Sequence, residues 1–374
     1  MLRSLLAGAC GTILVMSGAR AQSRAESPVP PDSEIRKILV DRIHGAWQGV
    51  GIVVGVIEPQ GPRVVAYGSL DKGDKRPLGG DTIFELGSVT KVFTSLLLAD
   101  MVERHEVALA DPVAKYLPEG VKVPERSGRR ITLEDLSTHT SGLPRLPSNM
   151  KPANPANPYA DYSAERLYEF LSTYKMWRDP GSGFEYSNLG AGLLGHALAR
   201  HAGMDYEALV RSRITQPLGM NSTGITLSPQ MKARLAVGHN EKLAPVPNWD
   251  FQALAGFGAL RSSAHDLLVF LEANLGYSAS PLTAAMAAML KVHRPTTIGG
   301  TEIGLGWVLA PDGIVWHNGS SAGYRSFVGF DPKSRVGVVV LANTFTVTGV
   351  NDIGMHLLNV RNPLATPPKA PAGR

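Results

Sequence analysis

The sequence predicts an α/β (α+β) fold: one antiparallel sheet built from N- and C-terminal strands, flanked by helices, with a mostly helical segment inserted between them. Three observations carry this. β-rich runs separated by turn residues lie near both ends of the chain, at 51–69 and 324–342. The stretch between them has helical rather than alternating periodicity. At 44% hydrophobic and 18% charged, the 374 residues can fill a core, whereas disorder needs low hydrophobicity with high charge.

Taken in order, residues 34–45 place Ile35, Ile38, Leu39 and Ile43 on one face of a helix. Runs 51–58 and 63–69 form a hairpin around Pro59-Gln60-Gly61-Pro62. Helices are expected at 89–102, 164–174, 190–201, 206–213, 264–274 and 281–292. Residues 144–158 carry five prolines and read as a long loop, placed to wall a cleft where the helical insertion meets the sheet. A short strand at 313–316 precedes a second hairpin, 324–330 with 335–342, turning at Asp331-Pro332-Lys333-Ser334. A closing helix covers 351–360. The sheet part then spans about 34–85 and 300–360, and the helical part about 86–299, with a flexible Pro-rich tail at 361–374. No 20- to 40-residue repeat or heptad is present, which excludes solenoids and coiled coils.

Arg3, the apolar run 5–16 and Ala19-Arg20-Ala21 read as a signal peptide of residues 1–21, cleaved after Ala21, with a leader at 22–33. The apolar run falls short of the roughly 20 residues that span a bilayer, so no stable membrane span is expected. Cys10, the one cysteine, lies inside this segment, and the mature chain is left without disulfides or thiol chemistry. The formal charge of +5 is scattered, and the densest basic cluster, 126–130, lacks interleaved aromatics. Nucleic-acid binding is therefore not expected. None of the ten histidines forms His-x-His or His-Glu-x-x-His, so no metal site and no cofactor are expected.

Ser-x-x-Lys occurs four times, and context separates the copies: Ser69/Lys72, Ser88/Lys91, Ser148/Lys151 and Ser172/Lys175. Only Ser88 follows an extended run closed by glycine (82–87) and opens a long apolar helix. There Lys91 shares a helix face with Ser88, and the helix N-terminus offers N–H donors to an oxyanion. That dipole, with burial, disfavours a charged lysine and lets it accept a proton. A capping serine beside a surface lysine is the plainer alternative.

A second element, Tyr186-Ser187-Asn188, precedes the helix at 190. A tyrosine beside a cationic lysine is expected to have a lowered pKa and to relay protons, and Asn188 offers an amide to a substrate. The third, His317-Asn318-Gly319-Ser320, ends the 313–316 strand. There Gly319 permits close approach of substrate backbone, His317 supplies a donor or cation, and Ser320 N–H a second oxyanion donor. A simple Asn-Gly turn is its alternative. Gly319-Ser320-Ser321-Ala322-Gly323 also spells a nucleophile elbow, but that elbow needs a helix after the serine, and a strand is expected here.

These three elements in this order resemble the serine β-lactamase and penicillin-binding D,D-peptidase superfamily, closest to class C β-lactamases, with D,D-carboxypeptidases and family VIII esterases as relatives. The resemblance runs through 84–91, 131–133, 136–144, 216–220, 262–267 and 323–327, and covers about 34–360 as a catalytic domain of β-lactamase/transpeptidase-like fold. It implies that Ser88 is the acylated nucleophile, Lys91 its activator and Tyr186 the proton-transfer group. Backbone N–H groups of Ser88 and Ser320 would form the oxyanion hole. Asn188, His317, Asn318 and Gly319 would bind substrate, and His139 would support its loop.

Two departures put substrate choice in question. Arg145, Leu146 and Pro147 stand where class C enzymes commonly carry a glutamine, and His317 stands where they carry lysine. A histidine near its ordinary pKa of about 6.5 is only partly charged at neutral pH, and Arg325 is one candidate for the missing charge. The leading expectation is a periplasmic, monomeric serine β-lactamase of the antibiotic-resistance type, acting on a small-molecule β-lactam or D-Ala-D-Ala-type substrate. A D,D-carboxypeptidase on peptidoglycan stems, a carboxylesterase and a slowly turning-over penicillin sensor are the alternatives.

Overall fold

A computed structural model describes residues 28–45 and 49–366. The expected signal peptide, most of the leader, Cys10 and residues 367–374 lie outside the described residues.

The chain enters through α1 (Asp32–Val40), which continues into a wider turn at Asp41–Gly45. Strands β1 (Gly51–Glu58) and β2 (Gly61–Gly68) follow, paired with Glu58 opposite Gly61, so the loop is the two residues Pro59-Gln60. The short β3 (Phe84–Glu85) leads into α2 (Thr90–Glu103), which is buried on every side from Thr90 to Met101. A helix buried all round belongs at the centre of a domain. A small exposed ribbon, β4 (Glu125–Arg126) with β5 (Arg129–Arg130), precedes α3 (Leu133–Ser137). Thr132 and Asp135 close a capping box at the start of α3.

After the proline loop come α4 (Ala164–Thr173), α5 (Asn188–His201), α6 (Tyr206–Val210), α7 (Gln216–Leu218) and α8 (Pro229–Lys232). Then β6 (Arg261–Ser262) pairs with β3, and α9 (Ala264–Asn274) and α10 (Thr283–Met289) complete the helical part. The chain returns through β7 (Arg294–Pro295), β8 (Glu302–Ile303), β9 (Val308–Leu309), β10 (Val315–Ser320), β11 (Arg325–Asp331) and β12 (Val336–Ala342), and closes on α11 (Asn351–Leu358).

The main sheet has eight strands in the order β2-β1-β12-β11-β10-β9-β8-β7, and every neighbour pair is antiparallel. The first and last long strands, β1 and β12, lie side by side as second and third in this order, so each hairpin is joined to the other through them. Alternation then sorts β1 and β12 between two cores. Val53, Ile57, Val339 and Leu341 face the helical side, with α2 and α9. Ile52, Val54, Val56, Val338 and Val340 pack under Ile35 and Leu39 of α1 and Ile353 and Leu357 of α11. Buried Arg42 joins the two chain ends, donating to the Gly349 carbonyl at 3.0 Å and to the Asp352 carboxylate.

The anticipated sheet from both ends, with helices between, is thus the observed architecture. Some local expectations fail. Residues 317–320 do not follow a strand that stops at 316; they are the last four residues of β10, paired with β11 from His317↔Val328 to Ser320↔Arg325. Nor is 82–87 extended throughout, because Leu86 has turned helical at φ −85°, ψ −20° and Gly87 has φ +51°. The second hairpin starts at Arg325, not Tyr324, and the strand after Gly323 rules out the elbow geometry.

Candidate active site

Ser88 sits in a 3₁₀ turn, Gly87–Val89, that leads straight into α2. Gly87 earns its place twice. Its φ of +51° is a conformation that side chains resist, and a Cβ there would stand 2.5–2.6 Å from the backbone O and N of Ser320. From the other side, a Cβ on Gly319 would fall 1.9 Å from the Leu86 carbonyl oxygen. Two glycines therefore let β10 and the turn before Ser88 touch backbone to backbone. The Ser326 hydroxyl pins this junction by donating to the Leu86 carbonyl at 2.7 Å, and the Leu86 N–H donates to Leu260 O at 2.9 Å. Gly319 serves the protein's own backbone approach, whereas the sequence reading assigned it to substrate.

One helical turn beyond, the Lys91 amine lies 2.8 Å from Ser88 Oγ and donates to the Phe257 carbonyl at 3.0 Å. Lys91 is only 2% exposed. Burial, with the charge of Arg145 nearby, holds its amine well below the ordinary lysine range. The other three Ser-x-x-Lys copies have no such arrangement: Lys72, Lys151 and Lys175 are all exposed.

Tyr186 comes from the segment before α5. Ser187 caps that helix, accepting from Gly190 N–H at 2.8 Å and donating to the Pro144 carbonyl at 2.7 Å. The His139 Nδ1 accepts the Ser187 N–H at 3.1 Å, and its ring lies 4.4 Å from that of Tyr186. The phenol is thereby aimed into the cleft, where its ring covers the Lys91 amine at 4.9 Å from the centroid. Its hydroxyl hydrogen-bonds the Ser88 side chain, but burial dominates and pushes it up to about 12. This corrects the expectation of a lowered tyrosine: the cost of burying a phenolate outweighs the Ser88 hydrogen bond and the nearby charge of Arg145.

His317 is corrected in the same way. Its side chain points inward from β10, 2% exposed, with Nδ1 donating to the Asn318 carbonyl at 2.7 Å. Burial, reinforced by Lys91, lowers it to about 3, so it is a neutral imidazole at pH 7 and not a partial cation. Asn188, the first residue of α5, is buried with its Oδ1 left without a hydrogen-bond partner. A buried amide oxygen with no donor is costly unless a ligand supplies one.

Ser88 lies where two lobes of the cleft meet. One is lined by Asn188, Arg145, Leu146 and an aromatic wall of Tyr159, Trp249, Phe251 and Phe257. Tyr159 and Phe251 stack at 5.1 Å, and Trp249 and Phe257 meet Tyr159 edge-on at 5.2 and 4.9 Å. The other holds Tyr186, His317, Asn318, Gly319, Ser320, Ile298, Trp316 and Arg325. Arg145 and Ser320 border both, and neither lobe is lined by an Asp or Glu among the described residues. Ser88, Tyr186, Asn188, His317, Asn318, Gly319 and Ser320 thus line one cleft, with Lys91 joined to it through Ser88.

The aromatic wall escaped sequence reasoning, because Tyr159 and residues 249–257 lie far apart and outside regular helices or long strands. The proline loop, however, does wall the cleft. No group of three or more His, Cys, Asp or Glu residues among those described could hold a metal ion.

A model of the Beta-lactamase family matches residues 39–357. The D-alanyl-D-alanine-carboxypeptidase/endopeptidase AmpH of Escherichia coli K12 is 30% identical over 392 aligned positions, covering 98% of this chain and all of that protein. A β-lactamase of the same organism is 28% identical, covering 78% of this chain and 84% of the relative. Among solved structures, a β-lactamase/D-alanine carboxypeptidase from Yersinia pestis superposes with TM-score 0.76 at 26% identity, covering 89% of this chain and 98% of its own. A class C β-lactamase from Rhodobacter sphaeroides gives 0.74 at 26% identity, covering 88% and 98%. With the family match spanning both halves of the sheet and everything between them, this chain belongs to the Beta-lactamase family, within the serine β-lactamase and penicillin-binding D,D-peptidase superfamily.

Proposed function

We propose that this protein is a serine hydrolase that opens the β-lactam amide through an acyl-enzyme on Ser88. The observation that carries the reading is a lysine amine, pressed toward neutrality by burial, 2.8 Å from a serine oxygen at the start of a buried helix. As Ser88 Oγ attacks the carbonyl carbon, its proton passes to the Lys91 amine, which is the stronger base because Tyr186 is held as a neutral phenol. The developing oxyanion sits between the N–H groups of Ser88 and Ser320. Tyr186 gives its proton to the departing nitrogen and recovers one from Lys91. Water then hydrolyses the ester, returning Ser88 to its alcohol. Asn188 supplies an amide for the acyl side chain, and His317, a neutral imidazole, adds no charge of its own to the lobe it lines with Tyr186.

Turnover of a chromogenic cephalosporin tests this. The expected result is hydrolysis by wild type and none by Ser88→Ala; absence of both turnover and a Ser88 adduct in wild type would end the reading. A second reading, cleavage of D-Ala-D-Ala peptides, is favoured by the full-length similarity to AmpH and by the missing lysine at position 317. Release of D-alanine from an acylated D-Ala-D-Ala peptide separates the two. Export of the chain through residues 1–21 belongs to the same proposal. No helix among the described residues is long and apolar enough to cross a membrane.

A further inference from the structure

We propose that Arg145 is the specificity-determining cation of this site, gripping a carboxylate on the leaving group of the substrate in place of a lysine on β10. The inference rests on the acyl-transfer reading above and adds to it the charge the substrate must carry.

Four observations support it. First, Arg145 lines both lobes, as do Ser88 and Ser320, which places it beside the nucleophile on either side of the cleft. Second, its backbone is fixed although its side chain is exposed. The Arg145 carbonyl accepts the N–H groups of Asn188 and Leu189 at 3.0 and 3.1 Å, and the preceding Pro144 carbonyl is held by Ser187. Third, its donors are unspent. The guanidinium carbon lies 5.4 Å from the Tyr186 centroid, and the side chain forms no hydrogen bond or ion pair with another described residue. An arginine fork left open is suited to a carboxylate, which it binds with two parallel hydrogen bonds. Fourth, the rivals are more constrained. Arg325 is half-buried, lies 4.1 Å over the Phe345 ring and donates to the Thr346 carbonyl, although its Nε has no partner. Lys91 is at the serine, and neutral His317 uses its N–H on the Asn318 carbonyl. With no acid lining either lobe, nothing competes for Arg145 until a substrate arrives.

The test uses two esters of one N-acylglycine, with 3-carboxyphenol or 3-carbamoylphenol as leaving group. Both give the same acyl-enzyme and differ only in the leaving-group charge. Because Arg145 also acts on Lys91, its removal shifts rates for both esters, and the ratio of their kcat/KM values isolates recognition. Wild type should favour the carboxylate ester at least tenfold, the low end for a hydrogen bond to a charged group. Arg145→Ala should bring the ratio near unity, and Arg145→Lys should recover part of it. A wild-type ratio near unity, or a ratio untouched by Arg145→Ala but flattened by Arg325→Ala, overturns the inference while leaving acyl transfer intact. If neither ester acylates Ser88, the underlying reading fails, and this inference with it.

Discussion

Gly319→Ala tests how the oxyanion site is built. The added methyl group would begin 1.9 Å from the Leu86 carbonyl oxygen and 2.3 Å from Ser326 Oγ, where real contacts stay beyond 3.0 Å. To reach that limit the strand and the carbonyl must separate by about 1.1 Å. The carbonyl cannot yield freely, since Ser326 holds its oxygen and Leu260 holds the Leu86 N–H. The displacement therefore passes to Ser320, next in β10, and to Ser88, two residues past Leu86. A misplacement of about 1 Å at reacting groups costs on the order of 100-fold in rate, and overpacking costs about 1–3 kcal/mol of stability. At about 2 °C per kcal/mol for a chain of this size, the melting temperature should fall by roughly 2–6 °C. Stopped-flow acylation by a chromogenic β-lactam or ester gives the first quantity and a CD melt the second. Gly79→Ala, where a methyl meets nothing within 4 Å, is the control and should be silent in both. A Gly319→Ala enzyme within threefold of wild type, with an unchanged melt, would refute the proposed backbone contact.

Other expectations follow from the same geometry. Lys91→Met should abolish acylation yet stabilise the fold by about 0.5–2 kcal/mol, because the unfolded chain no longer gains a proton that the buried amine resists; an unchanged or lower melt contradicts this. His317 has a folded pKa of about 3 against 6.5 unfolded, so its contribution to stability is whole above pH 6.5 and is lost as pH falls toward 3. The difference in melting between wild type and His317→Gln should therefore shift against wild type between pH 7 and pH 4, by about 1–3 kcal/mol, and a pH-independent difference would count against a neutral imidazole. His139→Ala leaves the Ser187 N–H unpaired and Tyr186 without its neighbour. It should cost about 1–2 kcal/mol and slow acylation without abolishing it, as read by melt and burst kinetics.

Much of this was legible in the sequence because local pattern and tertiary role agree. The Val/Ile runs at 51–57 and 336–342 pack on both faces of the sheet and remain strands wherever they pair. Ser88 and Lys91 share a helix turn, so their meeting needed only the helix. The failures have physical causes as well. Asn318-Gly319 carries a strong turn signal, yet the glycine is there because the Leu86 carbonyl, more than two hundred residues away in sequence, leaves no room for a side chain. The protonation of Tyr186 and His317 is set by burial, and no neighbour in sequence reveals it. The aromatic wall joins Tyr159 to Trp249, Phe251 and Phe257 across the inserted helices, beyond the reach of any local pattern. Arg145 stood out in the sequence only as a departure; its position at the junction of two lobes is what gives it a role.

The nucleophile itself is open to direct measurement. Wild-type protein is mixed with a β-lactam, quenched in acid within milliseconds to seconds, digested with pepsin and mapped by mass spectrometry. The predicted result is one added mass of intact lactam on the peptide carrying Ser88, absent from Ser88→Ala. Modification at Ser320 or Ser321 in its place, or turnover that survives in Ser88→Ala, would contradict the assignment.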